Sequence, residues 1–146
     1  AFAIKNCNAK IPNQVKFKEE DLVILNKYKN NLDDIRLKVD NQNINFYIDY
    51  IVNSLFEANK YFNDQEPWKK KDNPERLDTI VYTTLEIVRK ISFLLYPIIP
   101  DSSLKALKIF DLKESDINLS SISNNDYLIK GSIINKINIL FNKIEK

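Results

Sequence analysis

The only tryptophan of the 146-residue chain lies where its ring could do chemistry. Trp68 directly follows Pro67 and directly precedes three lysines, Lys69, Lys70 and Lys71. An aromatic face next to positive charges can stack on an unpaired nucleic-acid base while the ammonium groups neutralise the adjacent phosphates. The alternative is a tryptophan packed in the core, beside a run of solvated surface lysines. These residues alone leave both interpretations open.

Acidic residues form three groups that could act as general acids and bases or as metal ligands. The groups are Glu19, Glu20 and Asp21; Asp33 and Asp34; and Asp64 and Glu66. The first two groups flank apolar stripes of helical period, so we expect them on solvated helix faces, and we expect the third in a loop. No nucleophile, base and oxyanion site come together, so the sequence predicts no catalytic residue in this chain.

The composition excludes several other kinds of site. The chain has no histidine and only one glycine. Ser-His and Cys-His nucleophiles, histidine-containing zinc sites and glycine-rich phosphate loops are therefore absent, and we expect neither a metal nor a cofactor here. A net charge of +2 is too small to indicate a partner by itself. The lone Cys7, the lack of a membrane-length apolar run and the lack of a signal-peptide pattern are typical of a cytoplasmic protein.

Three long segments of helical period must position these residues. The first runs from Leu22 to Val39, the second from about residue 43 to residue 62, and the third begins with Asn73 as N-cap and ends before Pro97. The apolar residues expected to be buried in the first two segments are Leu22, Leu25, Tyr28, Leu32, Ile35, Val39, Ile44, Ile48, Ile51, Leu55, Ala58 and Phe62.

The remaining segments are shorter or less regular. Residues 1–7 are expected to end another helix, and a short helix is expected to start at an N-cap, Asp101 or Ser102. Residues 111–146 are polar at first and end in a stretch that fits either a short helix or a strand. The predicted fold is all-α, an antiparallel helix bundle over residues 1–110 with an extended or short-helical C-terminal tail. Because the chain begins without methionine inside an apolar pattern, we expect it to be part of a longer protein.

Proline fixes how Trp68 is presented. The second helix is expected to end near Asn63, and Pro67 excludes the preceding Glu66 from the right-handed helical region. Trp68 therefore starts a new chain direction at a helix junction, on a stiff backbone.

Four stretches resemble one known family. "ANKYFNDQEPW" (residues 58–68) resembles the motif A-N-x-Y-x-x-x-x-x-P-W of methionyl-tRNA synthetases, and "LLYPIIP" (94–100) is similar to their L-x-P-x-x-P helix exit. "ILFNKIE" (139–145) resembles their L-F-P-R-I-E terminus, with Asn142 and Lys143 in place of Pro and Arg. Residues 1–12 resemble the segment just after the first helix of the domain begins. The resemblance is to the helical anticodon-binding domain that follows the class I catalytic domain.

The resemblance implies that Trp68 stacks on a base of the anticodon CAU of a methionine-accepting tRNA. With Trp68 in that role, the positions of the neighbouring residues suit supporting roles. We expect Asn59 and Tyr61, on the last turn of the second helix, to hold the loop by hydrogen bonds, Pro67 to hold the indole outward, and Lys69, Lys70 and Lys71 to contact phosphates. The full-length enzyme would join methionine to tRNA with ATP, and the tail would pack on its catalytic domain. The family's Asn-x-x-x-Arg pair would lie ahead of Ala1, so this chain is expected to bind tRNA only partially and to catalyse nothing.

Two other functions stay open at this stage. The chain can be a helical protein-interaction or structural module in which Trp68 is a core residue. It can also be the anticodon domain of another class I synthetase.

Overall fold

The computed structural model describes residues 1–138 and residue 140, and within this part of the chain all regular structure is helical. The helices are α1 (Phe2–Asn6), α2 (Glu19–Asn30), α3 (Leu32–Asp40), α4 (Ile44–Gln65), α5 (Pro74–Leu95), α6 (Pro100–Leu107) and α7 (Leu119–Ile122). Single 3-10 turns lie at Pro67–Lys69, Lys108–Phe110 and Glu114–Asp116. None of the described helices is both long and apolar enough to cross a membrane.

Helix α5 lies at the centre of the bundle and packs against α2, α4, α6 and α7. Its side chains are buried on nearly all sides, as expected of a central helix. The predicted start is confirmed, because the Asn73 side chain accepts a hydrogen bond of 3.1 Å from the backbone N–H of Arg76 and Pro74 occupies the first helical position. The helix ends at Leu95, two residues before Pro97.

The first predicted helix is in fact two helices. The chain leaves regular helical geometry at Asn31, between α2 and α3. The break changes the packing partner, since α2 lies against α5 whereas α3 lies against α4. A straight helix of that length could not follow both neighbours.

The buried stripe of α4 differs from the predicted one. Its buried residues are Tyr47, Ile51, Ser54 and Tyr61. The hydroxyl groups make burial of the tyrosines possible, because Tyr47 donates to the carbonyl oxygen of Leu94 and Tyr61 donates to a carboxylate of α2. Five residues expected in the core are instead exposed, because no described element covers them: Leu22, Val39, Ile44, Ile48 and Leu55.

Three charged residues of α5 hold the segment that follows α6. Glu86 accepts hydrogen bonds of 2.7 Å from the backbone N–H groups of Tyr127 and Leu128. Arg89 donates 2.8 Å to Glu86 and stacks 4.4 Å from the centre of the Tyr127 ring. Lys90 donates to the carbonyl oxygen of Ile122. All three side chains are fully buried, so the polar residues 121–128 are fixed to the bundle by satisfied charges.

The described part of the tail continues beside the N-terminal segment. Gly131 donates 2.8 Å to the carbonyl oxygen of Ile11, and Lys10 and Ile133 form an isolated antiparallel bridge. The expected N-cap at Asp101 or Ser102 is wrong: α6 begins at Pro100, after Ile99, because proline suits the first helical position. The resemblance found in residues 139–145, with Asn142 and Lys143, lies outside the described residues except for Leu140.

Candidate nucleic-acid interface

The turn between α4 and α5 carries Trp68. Glu66 ends α4 in the left-handed conformation, with φ 45° and ψ 56°, so it lies outside the right-handed helical region, as Pro67 requires. The Lys69 N–H donates 2.9 Å to the Glu66 carbonyl, and the Lys70 N–H donates 3.1 Å to the Pro67 carbonyl. With Pro67 buried against the bundle, these bonds hold the backbone on both sides of Trp68.

The indole of Trp68 lies at the surface, packed on one neighbouring ring. The residue keeps 44% of its surface exposed. Its ring centre is 6.2 Å from that of Phe62, at an interplanar angle of 57°. Phe62 in turn packs edge-on against Phe2, with 5.4 Å between the ring centres. This exposure does not fit the interpretation of Trp68 as a core residue.

The two residues expected to pin the loop have different surroundings. Tyr61 is buried, and its hydroxyl donates to the Oδ1 atom of Asp21. Asn59 is exposed on α4, and within the described part of the chain its side chain makes no hydrogen bond to the loop. Tyr61 therefore fixes the end of α4 to α2, whereas Asn59 is free to meet a ligand.

The three lysines that follow Trp68 are not equivalent. Lys69 pairs with Glu66, with 2.7 Å between Nζ and Oε1. Lys70 is half-buried and Lys71 is exposed in the same turn, as the chain approaches the start of α5. The turn thus brings one internally neutralised and two further ammonium groups next to the indole.

Asp21 corrects the prediction that Glu19, Glu20 and Asp21 form a solvated acidic face. Its side chain is 0% exposed, and both oxygens accept hydrogen bonds from other segments. The donors are Tyr61, the backbone N–H of Lys18 at 2.8 Å, and the guanidinium of Arg76 at 2.6 and 3.0 Å. Burial alone would raise the pKa of Asp21, but these bonds and the Arg76 charge hold it below its ordinary value.

Arg76 and Gln65 were not among the predicted site residues. Arg76 is 7% exposed, and its Nη2 atom also donates to the Gln65 side chain and to Glu20 at 3.2 Å. A signal for burial existed in the sequence: Asp21 lies four residues before Leu25 on the apolar stripe of α2, and Arg76 lies four residues before Ile80 on that of α5.

The other acidic groups do not converge. Asp33, Asp34 and Asp64 do not join the buried cluster, and Glu66 pairs with Lys69. Across residues 1–138 and 140, no three acidic or sulfur-bearing side chains are placed to hold a metal ion.

The fold and this turn together define a helical domain that presents the half-exposed ring of Trp68 between charged side chains. The model of the anticodon-binding domain of methionyl tRNA ligase matches residues 11–146. The chain belongs to that family.

Individual relatives agree with the family match. The methionine–tRNA ligase of Brucella suis is 37% identical over 106 residues, which cover 72% of this chain and 21% of that protein. The ligase of Rickettsia conorii is 31% identical over 149 residues, covering 99% of this chain and 29% of that protein. The chain therefore spans less than a third of the length of these relatives.

Solved structures agree on the fold. The free form of Mycobacterium tuberculosis methionyl-tRNA synthetase superposes with a TM-score of 0.89 at 25% identity, covering 99% of this chain and 30% of that one. The same enzyme in complex with methionyl-adenylate gives a TM-score of 0.87. The all-α fold predicted from the sequence is confirmed.

Proposed function

We propose that this domain binds the anticodon CAU of a methionine-accepting tRNA by stacking one base on Trp68. The single observation that carries the proposal is the half-exposed indole on a rigid turn in a domain of this family. A nucleobase that slides onto the open part of the ring gains stacking energy without any need to reorganise the protein. Asn59, nearby on the last turns of α4, is available for a polar contact to the same nucleotide.

The charges of the turn support an RNA partner rather than a protein partner. Lys70 and Lys71 have no acidic partner within the described part of the chain, and Lys69 needs only to leave Glu66 to meet a phosphate. A phosphate next to a stacked base lies within reach of neighbouring side chains, so the lysines would neutralise the backbone of the anticodon loop. Positions 69–71 thus supply affinity, and the indole supplies the base contact.

The longer protein to which this domain belongs would attach methionine to tRNA with ATP. Those steps would take place in its catalytic domain, against which the end of the tail would pack, and the protein would act in the cytoplasm. In this arrangement the present residues would hold the anticodon end of the tRNA and would take no part in forming the bond between methionine and tRNA. The boundary between a bundle over residues 1–110 and a tail over residues 111–146 stays a prediction.

The test is a titration of the chain with an RNA stem-loop that carries the triplet CAU. The Trp68→Ala substitution should weaken binding by about 5- to 150-fold, the loss of one stacking interaction of roughly 1–3 kcal/mol. The matched control is Phe56→Ala, which removes an aromatic ring of α4 that is 69% exposed. The control should bind like the parent chain. Equal affinities for the parent chain and the Trp68 variant would contradict the proposal.

A competition experiment distinguishes an anticodon-binding domain for methionine tRNA from that of another class I synthetase. Stem-loops with other triplets should displace the CAU loop only at higher concentration. Equal competition by unrelated triplets would leave an RNA-binding domain without the proposed specificity.

A further inference from the structure

The side chain of Arg76 bridges the two helix ends that border the turn carrying Trp68. Gln65 is the last residue of α4, and Arg76 lies in the first turn of α5. The Nη2 atom of Arg76 donates to the Oε1 atom of Gln65, across the ten residues that separate them. The separation of the two helix ends is therefore set by a direct bond, in addition to the backbone bonds inside the turn.

Arg76 is itself held in place by a buried carboxylate. Asp21 accepts both guanidinium nitrogens in a fork, at 2.6 and 3.0 Å, and also accepts from Tyr61 and from the backbone of Lys18. A forked arginine–carboxylate pair fixes orientation as well as distance. Asp21 is fully buried and accepts hydrogen bonds from four donor atoms, so a different orientation of either partner would leave buried polar atoms unpaired. The start of α2, the end of α4 and the start of α5 meet at this one carboxylate.

We propose that Arg76, oriented by Asp21, is a positioning residue that fixes Trp68 for base stacking. The proposal rests on the function proposed above. A ring held in its binding orientation loses little freedom when a base stacks on it, whereas a ring on a loosened turn must be ordered at the moment of binding. The pair thus acts on RNA affinity through the presentation of the indole and has no contact with the RNA.

A second buried charge cluster on the same helix provides matched controls. Arg89 pairs with the buried carboxylate of Glu86 through a single bond from Nε, and its other two nitrogens donate to the carbonyl oxygens of Ser121 and Asn124. Asn125 accepts from Lys90 at 2.7 Å much as Gln65 accepts from Arg76. Both clusters are buried, but that of Arg89 holds residues 121–128 and not the turn. The paired substitutions are Gln65→Ala with Asn125→Ala, and Arg76→Lys with Arg89→Lys. Lysine keeps the charge and removes the planar guanidinium that makes several directed bonds at once, the fork onto Asp21 in the case of Arg76.

Two measurements are made on each folded variant at a temperature where far-UV circular dichroism matches that of the parent. The first is the fluorescence anisotropy decay of Trp68, which reports the motion of the only indole in the chain. The second is the affinity for the CAU stem-loop. We expect Gln65→Ala and Arg76→Lys to increase the fast motion of the indole and to weaken binding by roughly 2- to 10-fold, the equivalent of one net hydrogen bond. The two controls should leave both quantities unchanged.

The result that overturns the proposal is an unchanged anisotropy decay and affinity in Gln65→Ala, or equal changes in the controls. If Arg76→Lys does not fold, Gln65→Ala decides alone, since Gln65 lies at the edge of the buried pair. If the parent chain does not bind the stem-loop, the proposed function fails, and the anisotropy decay still decides whether the pair positions the ring.

Discussion

The guanidinium of Arg76 donates to the side-chain oxygen of Gln65 and so ties together the two helices that border Trp68. The same guanidinium is forked onto the buried carboxylate of Asp21. An exposed aromatic residue is thus carried by a turn whose ends rest on a satisfied ion pair inside the bundle. If a base stacks on Trp68 as proposed, this support leaves the ring accessible while its backbone is tied to the bundle.

The lysines of the turn predict a change in salt dependence. If Lys69, Lys70 and Lys71 neutralise phosphates, their replacement by glutamine should lower the slope of log affinity against log salt concentration. The expected decrease is about 0.7 for each phosphate that is no longer neutralised, the value for unpaired strands. Titrations of the CAU stem-loop at four salt concentrations measure this slope.

The control for the lysine experiment removes the same charge elsewhere. Lys105, Lys108 and Lys136 surround a separate concavity beside the end of α6. Their replacement by glutamine should change the slope less than the triple replacement in the turn. An unaltered slope after replacement of positions 69–71, or a larger change in the control, would refute the phosphate contacts.

Lys90 predicts that the chain becomes more stable between pH 7 and pH 9. Burial and the adjacent charge of Arg89 lower the pKa of Lys90 to about 7 in the folded chain, whereas an unfolded lysine titrates near about 10.4. Between these values the unfolded chain binds a proton that the folded chain does not, so the free energy of unfolding rises with pH. Urea denaturation at pH 6, 7, 8 and 9 measures this free energy of unfolding.

The Lys90→Met variant is the control, because it should remove this rise in stability. The measured range stops at pH 9 because of the buried tyrosines. Burial raises the pKa values of Tyr28, Tyr61 and Tyr82 in the folded chain. Above about pH 10 the unfolded chain loses tyrosine protons that the folded chain keeps, so the free energy of unfolding falls with pH. A parent chain whose stability is flat or falls from pH 7 to pH 9 would show that Lys90 stays charged in the fold.

The backbone conformation of Gly131 predicts that a side chain at this position lowers the stability of the chain. Its φ of +80° is a left-handed conformation, and a Cβ atom there would lie 3.0 Å from the Oδ1 atom of Asn13. The Gly131→Ala substitution should therefore lower the free energy of unfolding by about 1 kcal/mol or more. Thermal unfolding measures the decrease, and Ile129→Ala, at an exposed neighbouring position, should change stability little. A Gly131→Ala chain as stable as the parent would contradict this strain.

The boundaries of α5 were predictable because local chemistry determines them. Asn73, Pro74 and Pro97 act through their own side chains on the adjacent backbone, whatever the rest of the fold does. The break at Asn31 was not predictable in this way, because it follows from the different neighbours of α2 and α3.

The buried face of α4 shows why apolar periodicity alone failed. Tyr47 and Tyr61 replace Ile44, Ile48 and Leu55 in the core, because each tyrosine hydroxyl finds an acceptor on another helix. Such partners are far apart in the sequence. Periodicity identified the helix but assigned its inward face wrongly.

The candidate site was predictable in part. A proline before Trp68 and lysines after it indicated a presented ring, and the ring is indeed half-exposed. The support beneath it was missed because Asp21, Gln65 and Arg76 come from three separate segments and each looks like ordinary surface. Only the position of Asp21 and Arg76 on apolar stripes distinguishes them from solvated charges.

The fluorescence of the single tryptophan during a titration with the CAU stem-loop is the most direct measurement. If a base stacks on Trp68, its emission should be quenched in proportion to binding, with a midpoint that matches the affinity obtained from labelled RNA. Stem-loops with other triplets should quench it only at higher concentration. Binding of the labelled CAU loop with unchanged Trp68 emission would show that the RNA is held elsewhere and that the indole is not the stacking surface.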